Sequence, residues 1–134
     1  MFKRKIYSKM QEWKKNSNGK TALLIEGARR IGKSTVVEEF AKNEYQSYLL
    51  IDFSRASKET KELFEDVSDL NYLFLQLQLQ YKIDLQERNS VIIFDEVQLC
   101  PAARQAIKAL VADHRYDYIE TGSLISIKRN VKDI

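Results

Sequence analysis

The chain has 134 residues and a net charge of +3, so one domain with a single core is expected and nucleic-acid binding is not indicated. Its single cysteine, Cys100, excludes an intrachain disulfide and a cysteine-rich zinc site. Neither a signal peptide nor a membrane span is apparent, because the apolar runs are short. These features predict a cytoplasmic protein without a membrane partner.

An amphipathic helix is the first predicted element. Ile6, Met10 and Trp13 recur at helical spacing among lysines within residues 3–16. The next element, residues 21–26, is a nearly continuous apolar run. Such a run is typical of a strand that is buried on both faces of a parallel sheet.

Between this strand and the next predicted helix, the segment GARRIGKS matches the phosphate-binding pattern G-x-x-x-x-G-K-[ST]. Its glycines permit close backbone approach, and its backbone N–H groups and the helix start near Lys33 favour an anion. Lys33 is expected to reach the β- and γ-phosphates, Ser34 to bind Mg²⁺ and Thr35 to lie near the α-phosphate. The predicted ligands are therefore ATP and Mg²⁺, and the predicted nucleotide-binding residues are Gly27, Ala28, Arg29, Arg30, Ile31, Gly32, Lys33, Ser34 and Thr35.

The middle of the chain continues the alternation of helices and strands. Residues 47–53 form a second buried-type strand, and residues 57–67 are predicted as one helix that Ser57 caps. Residues 70–81 fit both the alternation of a strand and one face of a helix. We choose the helix, because consecutive parallel strands need a crossover connection.

A third buried strand over residues 91–95 ends in two acidic residues. Asp95 is placed to hold Mg²⁺, usually through its water, at the carboxyl end of a strand beside the phosphate loop. Glu96 is placed to polarise the attacking water as a general base.

A helix beginning near Pro101 follows, and residues 116–121 predict a fourth strand that is shorter and more polar than the others. Thr121 at its end is a candidate for sensing the γ-phosphate and the attacking water, and Gln98 is a candidate for relaying that contact. The alternation of strands and helices predicts an α/β domain with a mostly parallel sheet.

With these motifs in place, the chain resembles the AAA-type P-loop ATPases, specifically prokaryotic ATP-binding proteins with an N-terminal AAA module and a separate C-terminal domain. The resemblance rests on GARRIGKS, FDEVQ at Phe94 and ETGS at Glu120. It implies a three-layer sandwich with strand order 5-1-4-3-2. The fifth strand, a lid and the arginine finger would then follow Ile134, so residues 1–134 are expected to be a truncated core that can be inactive alone.

The leading functional hypothesis is Mg²⁺-dependent ATP hydrolysis that drives or gates a conformational change in an attached domain or partner. One alternative is a nucleotide-gated assembly module with little turnover, which would associate with itself or with a partner protein. Another is a nucleic-acid-dependent ATPase, since Asp-Glu-x-Gln also occurs in helicases. The short interval between the motifs disfavours it, and no Asn-Lys-x-Asp segment supports a GTPase.

Overall fold

The computed structural model describes residues 2–26 and 33–122, which contain five α-helices and four strands. Two short 3₁₀ segments, Leu63–Glu65 and Val97–Leu99, lie between them. Within the described ranges, no helix combines the length and the apolar character needed to cross a bilayer. The helices are α1 (Phe2–Ser17), α2 (Lys33–Glu44), α3 (Lys58–Glu62), α4 (Leu70–Tyr81) and α5 (Pro101–Asp113), and the strands are β1 (Leu23–Glu26), β2 (Ser47–Asp52), β3 (Ser90–Asp95) and β4 (Asp117–Gly122).

The four strands form one parallel sheet in the order β1-β4-β3-β2. This confirms the predicted α/β class and the 1-4-3-2 part of the predicted strand order. Since all four strands run the same way, their carboxyl ends lie along one edge of the sheet. Glu26 pairs there with Gly122, and Asp52 pairs with Asp95.

Helices cover both faces of this sheet, which confirms the three-layer architecture. Side chains of β3 alternate between the two faces, so that Val91 and Ile93 pack with α1 and α2 whereas Ile92 and Phe94 pack with α4 and α5. β3 is therefore buried along its whole length.

The ambiguous segment at residues 70–81 is a helix, as predicted. α4 spans these residues and buries Leu73, Phe74 and Leu77 against the sheet. It lies on the connection between the parallel strands β2 and β3, so the topological argument selected the correct period. The predicted N-terminal helix is also confirmed, and Met10 is 1% exposed where α1 packs with α2.

The helix predicted at residues 57–67 is wrong in extent, and the fourth strand lies within one residue of its predicted bounds but is not shorter than β2 or β3. Ser57 caps a helix by accepting a hydrogen bond from the Thr60 N–H, but α3 ends at Glu62 and a 3₁₀ turn follows. β4 has six residues, as many as β2 and β3, and all of them are buried. Asp117, Glu120 and Thr121 of this strand tolerate burial because their side chains have hydrogen-bonding partners.

β1 is less buried than its apolar run predicts. Leu23 and Leu24 are partly exposed, and Glu26 is exposed. In the described sheet β1 is an outer strand with one neighbour, β4, whereas β3 and β4 each have two. An outer position leaves more of a strand in contact with solvent.

A buried polar network closes the amino end of the sheet. The Asp117 carboxylate accepts hydrogen bonds from the Tyr45 hydroxyl at 2.5 Å and from the Arg88 guanidinium at 2.8 Å. Arg88 also donates to the backbone carbonyl of His114 at 3.1 Å. Gly19 lies against this guanidinium with φ +82°, and a Cβ there would lie 2.5 Å from it. The network connects four parts of the chain at the end of the sheet opposite to the carboxyl edge.

As the pH rises above 10, we expect the free energy of unfolding to fall less steeply in Tyr45→Phe than in the wild type. Burial, and next the hydrogen bond to Asp117, raise the pKa of Tyr45 well above its ordinary value of 10.0. Above that pH the unfolded chain releases this proton while the folded chain keeps it. The free energy of unfolding therefore falls by up to about 1.4 kcal/mol per pH unit from this group.

Urea unfolding at several values between about pH 9 and about pH 11 measures this slope. Tyr72→Phe, at a tyrosine that is 54% exposed, is the matched control and should retain the wild-type slope. Identical slopes for the wild type and Tyr45→Phe would contradict the assignment.

Candidate functional site

Three of the predicted site residues meet at the carboxyl edge of the sheet. Asp95 ends β3, Glu96 follows it, and Thr121 is the penultimate residue of β4. Thr121 pairs with Ile25 of β1, so the segment that leaves β1 starts from the same edge. Parallel pairing thus brings together residues that are far apart in the sequence.

The Thr121 hydroxyl connects both acidic residues. It donates a hydrogen bond to Asp95 Oδ1 at 2.6 Å and accepts one from the Glu96 backbone N–H at 3.1 Å. Thr121 is fully buried, and Asp95 and Glu96 are 7% and 6% exposed. Two carboxylates at this depth are unusual, because burial of a charge is costly unless it has partners. Thr121 supplies part of that compensation.

The backbone of Glu96 adopts a left-handed conformation, with φ 55° and ψ 51°. For a residue with a Cβ this conformation costs roughly 1–2 kcal/mol, and such residues are frequent at functional sites. Two hydrogen bonds support it, one from its own N–H to Thr121 and one from the Leu99 N–H to its carbonyl. The conformation turns the chain sharply out of β3 directly after Asp95.

Gln98 is next to the Glu96 carboxylate. Its side-chain amide donates a hydrogen bond to Glu96 Oε1 at 2.8 Å. The sequence hypothesis placed Gln98 near this site as a relay to Thr121. The structure shows the contact with Glu96, which restricts the direction of that carboxylate.

Asp95 and Thr121 lie on the face of the sheet that α2 covers. Ile25, Ile93 and Ile119 pack with α2, and the two-residue period of a strand puts Asp95 and Thr121 on that same face. α2 begins at Lys33, as predicted. The N–H groups in the first turn of a helix attract anions, so this helix start is a suitable neighbour for phosphate.

The remaining predicted residues are only partly described. Thr35 lies in the first turn of α2 with an exposed side chain. Lys33 and Ser34 open this helix, but their side chains, like residues 27–32, lie outside the described residues. Within the described ranges, no three residues of the types His, Cys, Asp and Glu come together as a metal cluster.

The sequence analysis did not identify a buried ion pair next to this edge. Arg104 of α5 donates to both carboxylate oxygens of Glu120, at 3.1 and 3.0 Å, and Glu120 is 2% exposed. Burial raises the pKa of the Glu120 carboxyl, and Arg104 opposes that shift. Glu120 stands beside Thr121 but points to the α5 face. The available signal for such a pair was a charged residue within a predicted strand.

Replacing Thr121 by valine is expected to lower the free energy of unfolding by about 1–3 kcal/mol, since Asp95 and the Glu96 N–H each lose a buried partner. Valine has nearly the same shape, so the hydroxyl is the main difference. Urea unfolding near neutral pH measures the loss. Thr121→Ser, which keeps the hydroxyl, is the control. A valine variant within about 0.5 kcal/mol of the wild type would show that the hydroxyl does not hold the acidic pair.

The sequence profile of a family described as an AAA domain matches residues 19–133. The matched region contains the phosphate-binding pattern, the acidic pair and Thr121. A search of curated proteins found no match.

Proposed function

The chain belongs to the AAA domain family, a family of nucleotide-binding ATPase modules, and on this basis we propose that it hydrolyses ATP with Mg²⁺ at the carboxyl edge of its sheet. One observation carries the proposal. Thr121 forms hydrogen bonds with both members of the buried acidic pair Asp95–Glu96, and Asp95 and Thr121 lie on the face of the sheet that α2 covers. Ligands of open parallel sheets bind at this edge.

The residues at this edge fit Mg²⁺ and a triphosphate. Mg²⁺ prefers oxygen ligands, usually one or two carboxylates together with phosphate oxygens and water. Asp95 offers a carboxylate that Thr121 orients, and Ser34 offers a hydroxyl in the first turn of α2. An ion held there would neutralise part of the phosphate charge. We therefore assign Ser34 and Asp95 to the metal.

We assign the general base to Glu96. A base must have its carboxylate in a defined direction, and Gln98 restricts that direction through Oε1. The left-handed backbone of Glu96 turns the chain out of β3 at the carboxyl edge, where ligands of open parallel sheets bind. Gln98 acts as a positioning residue, because its contact is with Glu96.

Lys33 and the loop before it are assigned to the phosphates. The loop residues Gly27–Gly32 would surround the phosphate oxygens with backbone N–H groups, and Lys33 would add a positive charge where negative charge develops. The contact of Thr121 with the γ-phosphate and the attacking water stays a prediction. In the structure the hydroxyl proton is directed to Asp95.

We further propose that turnover drives or gates a conformational change in an attached domain or a partner protein. What supports this is the arrangement of the acidic pair at the edge of the sheet, where the chain turns into the Val97–Leu99 segment and α5. A change at Glu96 would be transmitted directly to these elements.

Calorimetry with ATP, in the presence of Mg²⁺ and in the presence of a chelator, tests the binding step. We expect saturable binding that Mg²⁺ strengthens, and we expect Asp95→Asn to remove that strengthening. Asp69→Asn, at an exposed aspartate on the opposite layer, is the control. Absence of binding under both conditions would contradict the proposed function.

Multiple-turnover phosphate release distinguishes the three functional hypotheses. Steady release with ATP supports hydrolysis. Tight binding with release at background supports a nucleotide-gated assembly module instead. Release that requires added DNA or RNA supports a nucleic-acid-dependent ATPase.

A further inference from the structure

The outward face of α4 is apolar and exposed. Tyr72, Leu75 and Leu79 are 54%, 52% and 62% exposed, and they are three of the four large hydrophobic side chains that are exposed in the described residues. The helical period places all three on the side opposite to the buried residues of α4. None of the twelve residues of α4 is charged, whereas 31% of the whole chain is. Contiguous exposed apolar side chains of this kind mark interaction sites.

An acidic groove of about 560 Å³ runs beside this face. Tyr72 and Gln76 of α4 line one side of it. The other side comes from α3 and the segment that leads to α4, and it carries four exposed carboxylates. These belong to Glu59, Glu62, Asp66 and Asp69.

We propose that this combined surface, which we name the α4 surface, docks a helical segment of another polypeptide that carries apolar and basic side chains. It consists of Tyr72, Leu75 and Leu79 together with the carboxylates of the groove. An amphipathic helix covers such a stripe with side chains at helical spacing, and lysines or arginines at its border meet the carboxylates. The apolar contacts supply affinity, and the charges select the partner.

The negative charge of the groove favours a basic helix over other partners that could bind an apolar surface. Nucleic acid and anionic membranes are both negatively charged, so the carboxylates repel them. A second copy of this chain is also a poor match. Its basic helix α1 exposes Arg4, Lys5 and Lys9, but Met10 of that helix is buried in its own core. α1 therefore offers charge without an apolar face.

The proposal is independent of the proposed nucleotide chemistry. The α4 surface lies on the layer opposite to α2, and none of the residues that form it is assigned to ATP or Mg²⁺. Failure of one proposal leaves the other standing.

The test uses the whole chain and a fluorescein-labelled peptide of about 18 residues, with leucines on one helical face and lysines on the other, long enough to form a helix. Fluorescence anisotropy measures binding. We expect saturation, and we expect the double variant Leu75→Gln/Leu79→Gln to weaken the affinity at least about tenfold. Glu62→Gln/Asp66→Asn should weaken it to a similar degree and flatten its dependence on salt. A peptide with glutamates in place of the lysines should not bind.

Two matched controls should bind the peptide as the wild type does. Leu99→Gln changes an exposed leucine outside the α4 surface, and Glu12→Gln changes an exposed glutamate of α1. All variants change exposed side chains, so their Tm should match that of the wild type. Equal binding of the glutamate peptide, or affinity that the double variants do not change, would overturn the proposal. The proposal would also be overturned if the wild type forms a dimer in sedimentation experiments and Leu75→Gln/Leu79→Gln removes that dimer. Binding to phosphatidylserine vesicles or to duplex DNA that the same double variant removes would overturn it as well.

Discussion

Replacing Lys33 by alanine is expected to abolish ATP binding at ordinary concentrations. Lys33 is the lysine of the phosphate-binding pattern G-x-x-x-x-G-K-[ST] and the first residue of α2. Removing one member of a close charge pair typically costs roughly 2–5 kcal/mol, which corresponds to roughly 30- to 5,000-fold in affinity. Alanine is a good helix former, so α2 and the fold should be unaffected.

Calorimetry with MgATP compares the wild type, Lys33→Ala and the control Lys42→Ala. Lys42 lies in the last turn of the same helix and is exposed. Like Lys33→Ala, the control Lys42→Ala removes one positive charge from this helix, but it does so far from the predicted phosphates. We expect the control to bind ATP as the wild type does. Equal affinity of the wild type and Lys33→Ala would remove the basis for the site.

Replacing Glu96 by glutamine is expected to slow turnover by roughly 10²–10⁴-fold while ATP still binds, the usual contribution of a general base. The substitution keeps the side-chain shape, and its amide oxygen can still accept the hydrogen bond from Gln98. The backbone bond to Thr121 is also unchanged. The main loss is therefore the ability to take a proton from water.

Phosphate release gives kcat and KM, and calorimetry gives ATP affinity. Glu12→Gln, at an exposed glutamate of α1, is the control for the change of charge. Unchanged kcat in Glu96→Gln would assign the base to another group. Loss of ATP affinity in this variant would instead place Glu96 in nucleotide binding.

The effects of substitutions on kcat and KM can distinguish the role of Gln98 from that of Glu96. Gln98→Ala leaves the base in place but removes the hydrogen bond that directs it. We expect a smaller decrease in kcat than in Glu96→Gln, with KM near the wild-type value, because orientation affects the transition state more than substrate binding. Restoration by Gln98→Asn is not expected, since its amide is one carbon shorter. An equal effect on KM would indicate a general disturbance of the site.

The sequence by itself determined the α/β class, the order of the strands and main helices along the chain, and the edge at which the acidic pair lies. Hydrophobic patterns are local, so the strands near residues 47–53 and 91–95 and the helix at residues 70–81 could be predicted from their own residues and from the need for crossovers. The burial predicted for residues 47–53 is only partly correct, because β2 is an outer strand of the described sheet and only two of its residues are buried. The place of Asp95 at the carboxyl end of a strand follows from the same pattern. The extent of α3 was harder to predict, since a helix and a 3₁₀ turn share similar local preferences.

Tertiary structure decided how these residues are held. The burial of β4 depends on its position between β1 and β3, and its acidic residues are tolerated there because Arg88 and Arg104 reach them from distant parts of the chain. The hydrogen bond from Thr121 to Asp95 and the left-handed turn at Glu96 also need β3 and β4 side by side. A local pattern predicts which residues lie at the edge of the sheet, but side-chain partners come from contacts between segments that only the folded chain brings together.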